Sequence, residues 1–157
     1  MKKVTGDIIA LRRGLMIHQV NAQGVMNGGV ALPIRKAYPQ VYKDYMQAVT
    51  QNSLIHGEDE GANLMGTVVW TIIDENLSIG SMFSQQFYGR EPRRYTSYDA
   101  LDSCLEAVSV VAHHTELPVH YPLIGCGLGG GYWPIVYAII EKNFGTIDHT
   151  LWELPHG

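Results

Sequence analysis

Cysteine is nearly absent. Cys104 and Cys126 are the only two in 157 residues, so no disulfide framework holds the fold, and both are expected as reduced thiols. Positive charge is scarce as well: 11 Lys and Arg against 15 Asp and Glu give a formal net charge of −4, which argues against general nucleic-acid binding. No apolar run is long enough to cross a bilayer, and the start "MKKVTGDIIALRRG" lacks the apolar core of a signal peptide. A cytosolic, cytoplasmic protein without a membrane partner is the expectation. Metal-ligand spacing is missing too. The 7 histidines are scattered, and the adjacent His113 and His114 point to different sides of a helix, as at a solvated helix end. No metal and no cofactor are expected.

What remains is an ordinary globular composition, 46% hydrophobic and 17% charged. The chain is long enough for one compact domain and too short for two, so residues 1–157 are expected to form a single domain, and a monomer. Strands and helices alternate along it. "LMIHQVNA" (15–22) is an apolar run suited to a buried strand, with a helix following the glycine loop after it. "PQVYKDYMQAV" places Pro39 in a first helical turn and Val41, Tyr42, Tyr45, Met46 and Val49 on one face. "GTVVWTII" and "LSIGSMF" read as a hairpin turning at Asp74, Glu75 and Asn76, followed by the irregular polar loop "SQQFYGREPRRY". A helix capped by Thr96 and Asp99 carries Leu101, Leu105, Val108, Val111 and Ala112 inward. "VHYPLI" is a short strand, Ile135, Val136, Ile139, Ile140 and Phe144 mark a last amphipathic helix, and "TLWEL" closes as a strand. The pattern is α/β, with helices on both faces of a sheet.

Two glycine-rich stretches stand out, "NAQGVMNGGVALPI" (21–34) and "GCGLGG" (125–130). The second satisfies G-x-G-x-x-G between a strand and a helix, but it comes too late for a dinucleotide-binding turn, since only one strand follows. A Walker loop fails because Gly131 stands where the lysine should be. A cysteine-phosphatase loop fails because Tyr132 stands where the arginine should be. Two readings stay open: a nest of backbone N–H groups that binds phosphate oxygens, and a tight strand-to-helix turn.

In order and spacing, "GDII" (6–9), "VNAQGVMNGGVA" (20–31), "PLIGCGLGGGYW" (122–133) and the closing "TLWEL" resemble the macro domain, the ADP-ribose-binding α/β/α fold. The likeness covers nearly the whole chain. It is nearest to the branch that processes ADP-ribose 1''-phosphate, through "HQVNAQGVMNGGVALPIRKAYPQVYKDY", "NLMGTVV" and "MFSQQFYG", and around "PLIGCGL" it is also similar to terminal ADP-ribose protein glutamate hydrolases. The resemblance implies a three-layer sandwich with a mixed central sheet and a small-molecule ligand, ADP-ribose or a derivative.

Site roles follow from the resemblance residue by residue. Asp7 would accept from the adenine amine with help from the Ile8 backbone; by its own chemistry Asp7 also suits an Asx turn. Asn21 would face the distal ribose. Asn27 and the run Gly28, Gly29, Val30 and Ala31 would wrap ribose and diphosphate. Ile124, Gly125, Cys126, Gly127, Leu128, Gly129 and Gly130 would hold the diphosphate from the other side, with Cys126 a small turn residue rather than a nucleophile. Trp152 would stack on adenine or belong to the core. Ser84 and Gln85, with Gln86, would reach the distal ribose or its phosphate, near Arg90, Arg93 and Arg94. His18, with Asn21, falls in the catalytic position, where it would orient water or protonate the leaving oxygen; strand alternation equally makes it a core residue beside Met16 and Val20.

The departures limit the chemistry. The glutamate hydrolases use a lysine and a loop aspartate where this chain aligns Gln85 and Gly129, so covalent lysine chemistry is excluded there, and Gly24 replaces the second asparagine of the common "NAAN" pattern. The resemblance then implies a phosphatase acting on ADP-ribose 1''-phosphate, a non-catalytic ADP-ribose reader, or an ADP-ribosyl hydrolase without a catalytic lysine.

Overall fold

The computed structural model describes residues 1–155. Six strands form one sheet in the order β1-β6-β5-β2-β4-β3: β1 (Lys2–Thr5), β2 (Gly14–Asn21), β3 (Val68–Ile72), β4 (Leu77–Gln85), β5 (Val119–Tyr121) and β6 (His149–Glu153). Neighbours run parallel except β3, which pairs antiparallel with β4 as the hairpin pattern predicts. The sheet is therefore mixed.

Helices cover both faces. On one side α1 (Ala31–Ala37) and α2 (Pro39–His56) pack Ile34, Val41 and Tyr45 against Met16, Val20, Ile79 and Phe83. On the other, α3 (Tyr98–Thr115) and α4 (Trp133–Phe144) pack Leu101, Leu105, Val136 and Ile140 against Leu15, Ile17, Met82 and Leu151. The apolar run of β2 reads as continuous because it sits at the centre with both faces buried. None of these helices is long and apolar enough to cross a membrane.

Three local expectations shift. The cap of α3 is Ser97, whose hydroxyl accepts from the Ala100 amide at 3.1 Å, while the Thr96 hydroxyl is engaged elsewhere, donating to Gly125 O at 2.9 Å. Ile135 is exposed, because the buried stripe of α4 runs through Val136, Ile140 and Phe144 and Ile135 lies off it. The strand expected over "VHYPLI" stops at Tyr121, since the amides beyond it close turns within the loop.

Parallel strands align their carboxyl ends along one edge. The segments after β1, β2, β4, β5 and β6 all leave from that edge, where open α/β sheets place their ligands.

Candidate functional site

The loop after β2 is shaped from inside by Asn21 and Tyr45. The Asn21 carboxamide donates to Val25 O at 2.7 Å and accepts from the Gln23 amide at 3.0 Å. The Tyr45 hydroxyl donates to Asn21 O at 2.7 Å and accepts from the Gly24 amide at 3.0 Å. Tyr45 itself is buried and stacked on Phe83, and burial raises its pKa above the ordinary tyrosine value, so it remains a neutral hydroxyl. Beneath the loop, Gly61 lies so near Ala22 that a Cβ there would stand 2.5 Å from Ala22 O. The supporting turn is gathered by Asp59, which accepts from Gly61, Asn63 and Asn52 and whose carboxyl is pulled down to about 2, chiefly by Asn63.

The tip, Gly28 to Ala31, is partly or fully exposed. Asn27 accepts from the Arg35 guanidinium at 3.0 Å. Across the cleft stands the loop after β5. A Cβ on Gly28 would lie 3.1 Å from Leu128 Cδ1, so the two loops touch at their tips. Among the described residues, the backbone amides of Gly28, Gly29, Val30, Gly127 and Leu128 donate to no protein acceptor. Two stretches of unengaged N–H groups thus lie in loops that meet at their tips, a supply of donors that suits phosphate oxygens.

At the β1–β6 edge of the sheet the 6–9 turn is brought beside Trp152. Gly6 N donates to Glu153 O at 2.8 Å, and the Trp152 ring lies against Gly6. Asp7 is exposed; its Oδ1 accepts from the Ile9 amide at 3.0 Å, so one carboxylate oxygen closes the turn and the other is left to solvent. The Trp152 indole N–H donates to His120 Nδ1 at 2.8 Å and half the residue is buried.

At the end of β4, the pairing with β2 shifts between Val20 and Asn21, leaving Ser84 as an extra residue. Ser84 is fully buried and donates to Gln19 Oε1 at 2.7 Å. Arg93 and Arg94 lie over the rings of Tyr95 and Tyr98, at 4.6 and 4.2 Å, and neither joins an ion pair among the described residues. With Arg90 they flank an open cavity of about 430 Å³ whose opposite wall is Gly127, Leu128 and Gly130.

Both residues expected to be catalytic have other occupations. His18 has no exposed surface; its Nε2 shares a 2.9 Å hydrogen bond with Ser81, and burial lowers its pKa to about 4. It lies three residues back along β2 from Asn21, on the strand face of Met16 and Val20, with no surface open to solvent. Asn21 spends both ends of its amide on its own loop. Cys126 is half-buried, its thiol donating to Ile124 O at 3.3 Å and its pKa raised by desolvation, which suits an inert turn residue. No group of three or more metal-ligating side chains gathers among the described residues. Gln19, Tyr45 and Thr96 carry much of the geometry and were not singled out for the site from the sequence.

No protein-family model matches the chain. It is 23% identical to the ADP-ribose 1''-phosphate phosphatase of Saccharomyces cerevisiae, the match covering 89% of each chain. It is 24% identical to the DNA ADP-ribosyl glycohydrolase of Mycobacterium tuberculosis over 89% of its own length and 37% of that protein's. Among solved structures, a macrodomain protein from Streptomyces coelicolor superposes with a TM-score of 0.76 at 25% identity over 99% of both chains. Thermosipho africanus DarTG, solved in complex with ADP-ribose, gives 0.73 at 20% identity over 98% of this chain and 41% of that one. This chain therefore has the macrodomain fold. Within that class it is similar to the branch that processes ADP-ribose 1''-phosphate.

Proposed function

We propose that this macrodomain binds ADP-ribose in the cleft between the 21–31 and 124–130 loops and removes the phosphate from ADP-ribose 1''-phosphate. The observation that carries this reading is the unengaged amides in two loops that meet at their tips, donors that would suit a diphosphate held between them. Asp7, Ile8 and Trp152 stand at the adenine end, and Arg90, Arg93 and Arg94 stand where a terminal phosphate would sit. In this reaction water attacks phosphorus, the bond from phosphorus to the ribose 1''-oxygen breaks, and that oxygen leaves as a hydroxyl of ADP-ribose. With His18 buried and no lysine at the aligned position, rate acceleration rests on orientation and on guanidinium and amide stabilisation of the phosphoryl oxygens.

The same burial of His18 favours a second reading, a binding module that holds ADP-ribose without turnover. One pair of measurements separates them: calorimetric titration with ADP-ribose, and phosphate release from the 1''-phosphate between pH 5 and 8. Binding with no release anywhere in that range selects the module, and absence of binding ends both readings. Asp7→Ala is expected to weaken ADP-ribose binding by about 1–3 kcal/mol, the scale for losing a hydrogen bond to a charged acceptor. An ADP-ribose analogue with hypoxanthine in place of adenine should lose as much on the wild type, and unchanged affinity in either case removes Asp7 from the adenine contact.

A further inference from the structure

Gln19 lies on β2 two residues before Asn21, outside both glycine motifs. Its Nε2 donates to Gln85 Oε1 at 2.7 Å and to Thr96 Oγ1 at 3.0 Å, and its Oε1 accepts from Ser84 Oγ at 2.7 Å. With its one hydroxyl proton, Thr96 donates onward to Gly125 O at 2.9 Å. The Tyr95 and Thr96 amides both donate to Gly129 O, at 2.8 and 3.0 Å. Gln85 then uses its own Nε2 on Phe87 O at 2.7 Å.

The hydrogen-bond directions form one consistent chain. Both amide protons of Gln19 are used, and the Ser84 hydroxyl can only donate to a carbonyl oxygen. Ser84 and Thr96 are buried, at 0% and 2% exposure, so an unmade bond here could not be replaced by water. Loop two is packed directly onto this network. A Cβ on Gly129 would lie 2.5 Å from Thr96 Oγ1 and 2.8 Å from Gln19 Nε2, and one on Gly125 would lie 2.8 Å from Thr96 Oγ1.

We infer that Gln19 is a positioning residue: acting through Thr96, Ser84 and Gln85, it fixes the separation between the diphosphate-holding loop and the β4 end of the cleft. It touches no ligand itself. The inference rests on the reading of the cleft as an ADP-ribose site. Gln19 joins three segments far apart in the chain: the same amide that holds the Thr96 hydroxyl, itself bonded to Gly125 O, also holds Ser84 and Gln85. A ligand spanning diphosphate and distal ribose therefore meets two walls set by one side chain.

The test compares Gln19→Met, Thr96→Val and Thr96→Ser with wild type in three measurements: ADP-ribose affinity by calorimetry, amide hydrogen exchange across residues 124–131, and thermal unfolding. Thr96→Val and Gln19→Met should weaken ADP-ribose roughly 10- to 100-fold, the range for buried hydrogen bonds left unmade, and should speed exchange in loop two. Thr96→Ser keeps the hydroxyl and should return both to wild-type values, a rescue that loss of packing alone would not produce. Wild-type exchange and affinity in Thr96→Val would overturn the inference, as would failure of Thr96→Ser to rescue. If Gln19→Met does not fold, the Thr96 pair carries the test. If wild type does not bind ADP-ribose at all, the reading of the cleft fails, and loop-two exchange still decides the role of Gln19: faster exchange in Thr96→Val supports it and unchanged exchange overturns it.

Discussion

Gly127→Val is expected to abolish measurable ADP-ribose binding while leaving thermal unfolding close to that of wild type. Among the loop-two glycines it is the position at which a side chain harms only the ligand. Its φ lies outside the left-handed region, and no heavy atom stands within 4 Å of where its Cβ would be. The fold therefore tolerates valine there, and what the added methyls fill is the cleft. A loss of at least roughly 100-fold, about 2.7 kcal/mol, is the expected scale. Gly130→Val is the control for the opposite case. At φ +70° and with its Cβ 2.5 Å from Arg93 O, it should lower the unfolding temperature as well, since both conformation and space forbid the side chain. Calorimetry and a thermal melt on both variants check the pair. Undiminished binding by Gly127→Val would place the ligand elsewhere.

The second large effect is on acid stability, through His18. Its imidazole is held neutral in the fold, with a pKa near 4 against an ordinary value of 6.5, because burial penalises the charged form. Between those values the unfolded chain binds a proton that the folded chain refuses, so stability falls as pH drops from about 6.5 towards 4. His18 alone contributes roughly 3 kcal/mol to that loss. His120 and His149, also shifted down mainly by burial, add in the same direction, so the informative quantity is a difference. His18→Asn should be destabilised at neutral pH, with Ser81 and the core imperfectly filled, and should show a flatter decline of stability over that interval in denaturant titrations. A slope identical to wild type would mean that His18 does not titrate as its surroundings require. Catalysis supplies a cross-check: an imidazole neutral throughout pH 5–8 imposes no titration near neutrality on phosphate release.

Much of the fold was legible because its signals are local. The unbroken apolar run of β2 marked a central strand, the alternating hairpin marked β3 and β4, and Pro39 marked the start of α2. The glycine loops were legible as loops, yet the reason for their glycines was only half visible. Gly127 leaves space on the ligand side, whereas Gly125 and Gly129 make room for Thr96 and Gln19 below the loop. Sequence spacing could not reveal that, because Gln19 and Thr96 are 77 residues apart and Gln19 and Ser84 are 65 apart. Asn21 was legible in a different way. Its place at the head of a glycine loop suggested a ligand contact, and only the arrival of Tyr45 from α2 shows its amide turned inward. Thr96 and Ser97 are both good capping residues, and the choice between them was made by the demand of Gly125 O for a hydroxyl.

The pairing of β1 with β6 bears on how the cleft comes into being. Lys2 to Thr5 lie against Thr150 to Glu153, and the bond from Gly6 N to Glu153 O joins residues 147 apart (153 − 6). Contacts of such separation are made late, after the entropy of closing so long a loop has been met by the central strands and their helices. During synthesis the 6–9 turn is made before β6 and waits for it until the residues between them have been translated. The two glycine loops and the β1–β6 corner therefore do not mature together, and a partly unfolded chain can possess both loops while lacking that corner. On the proposed placement of ADP-ribose, recognition of the adenine is thereby tied to the pairing of β1 with β6.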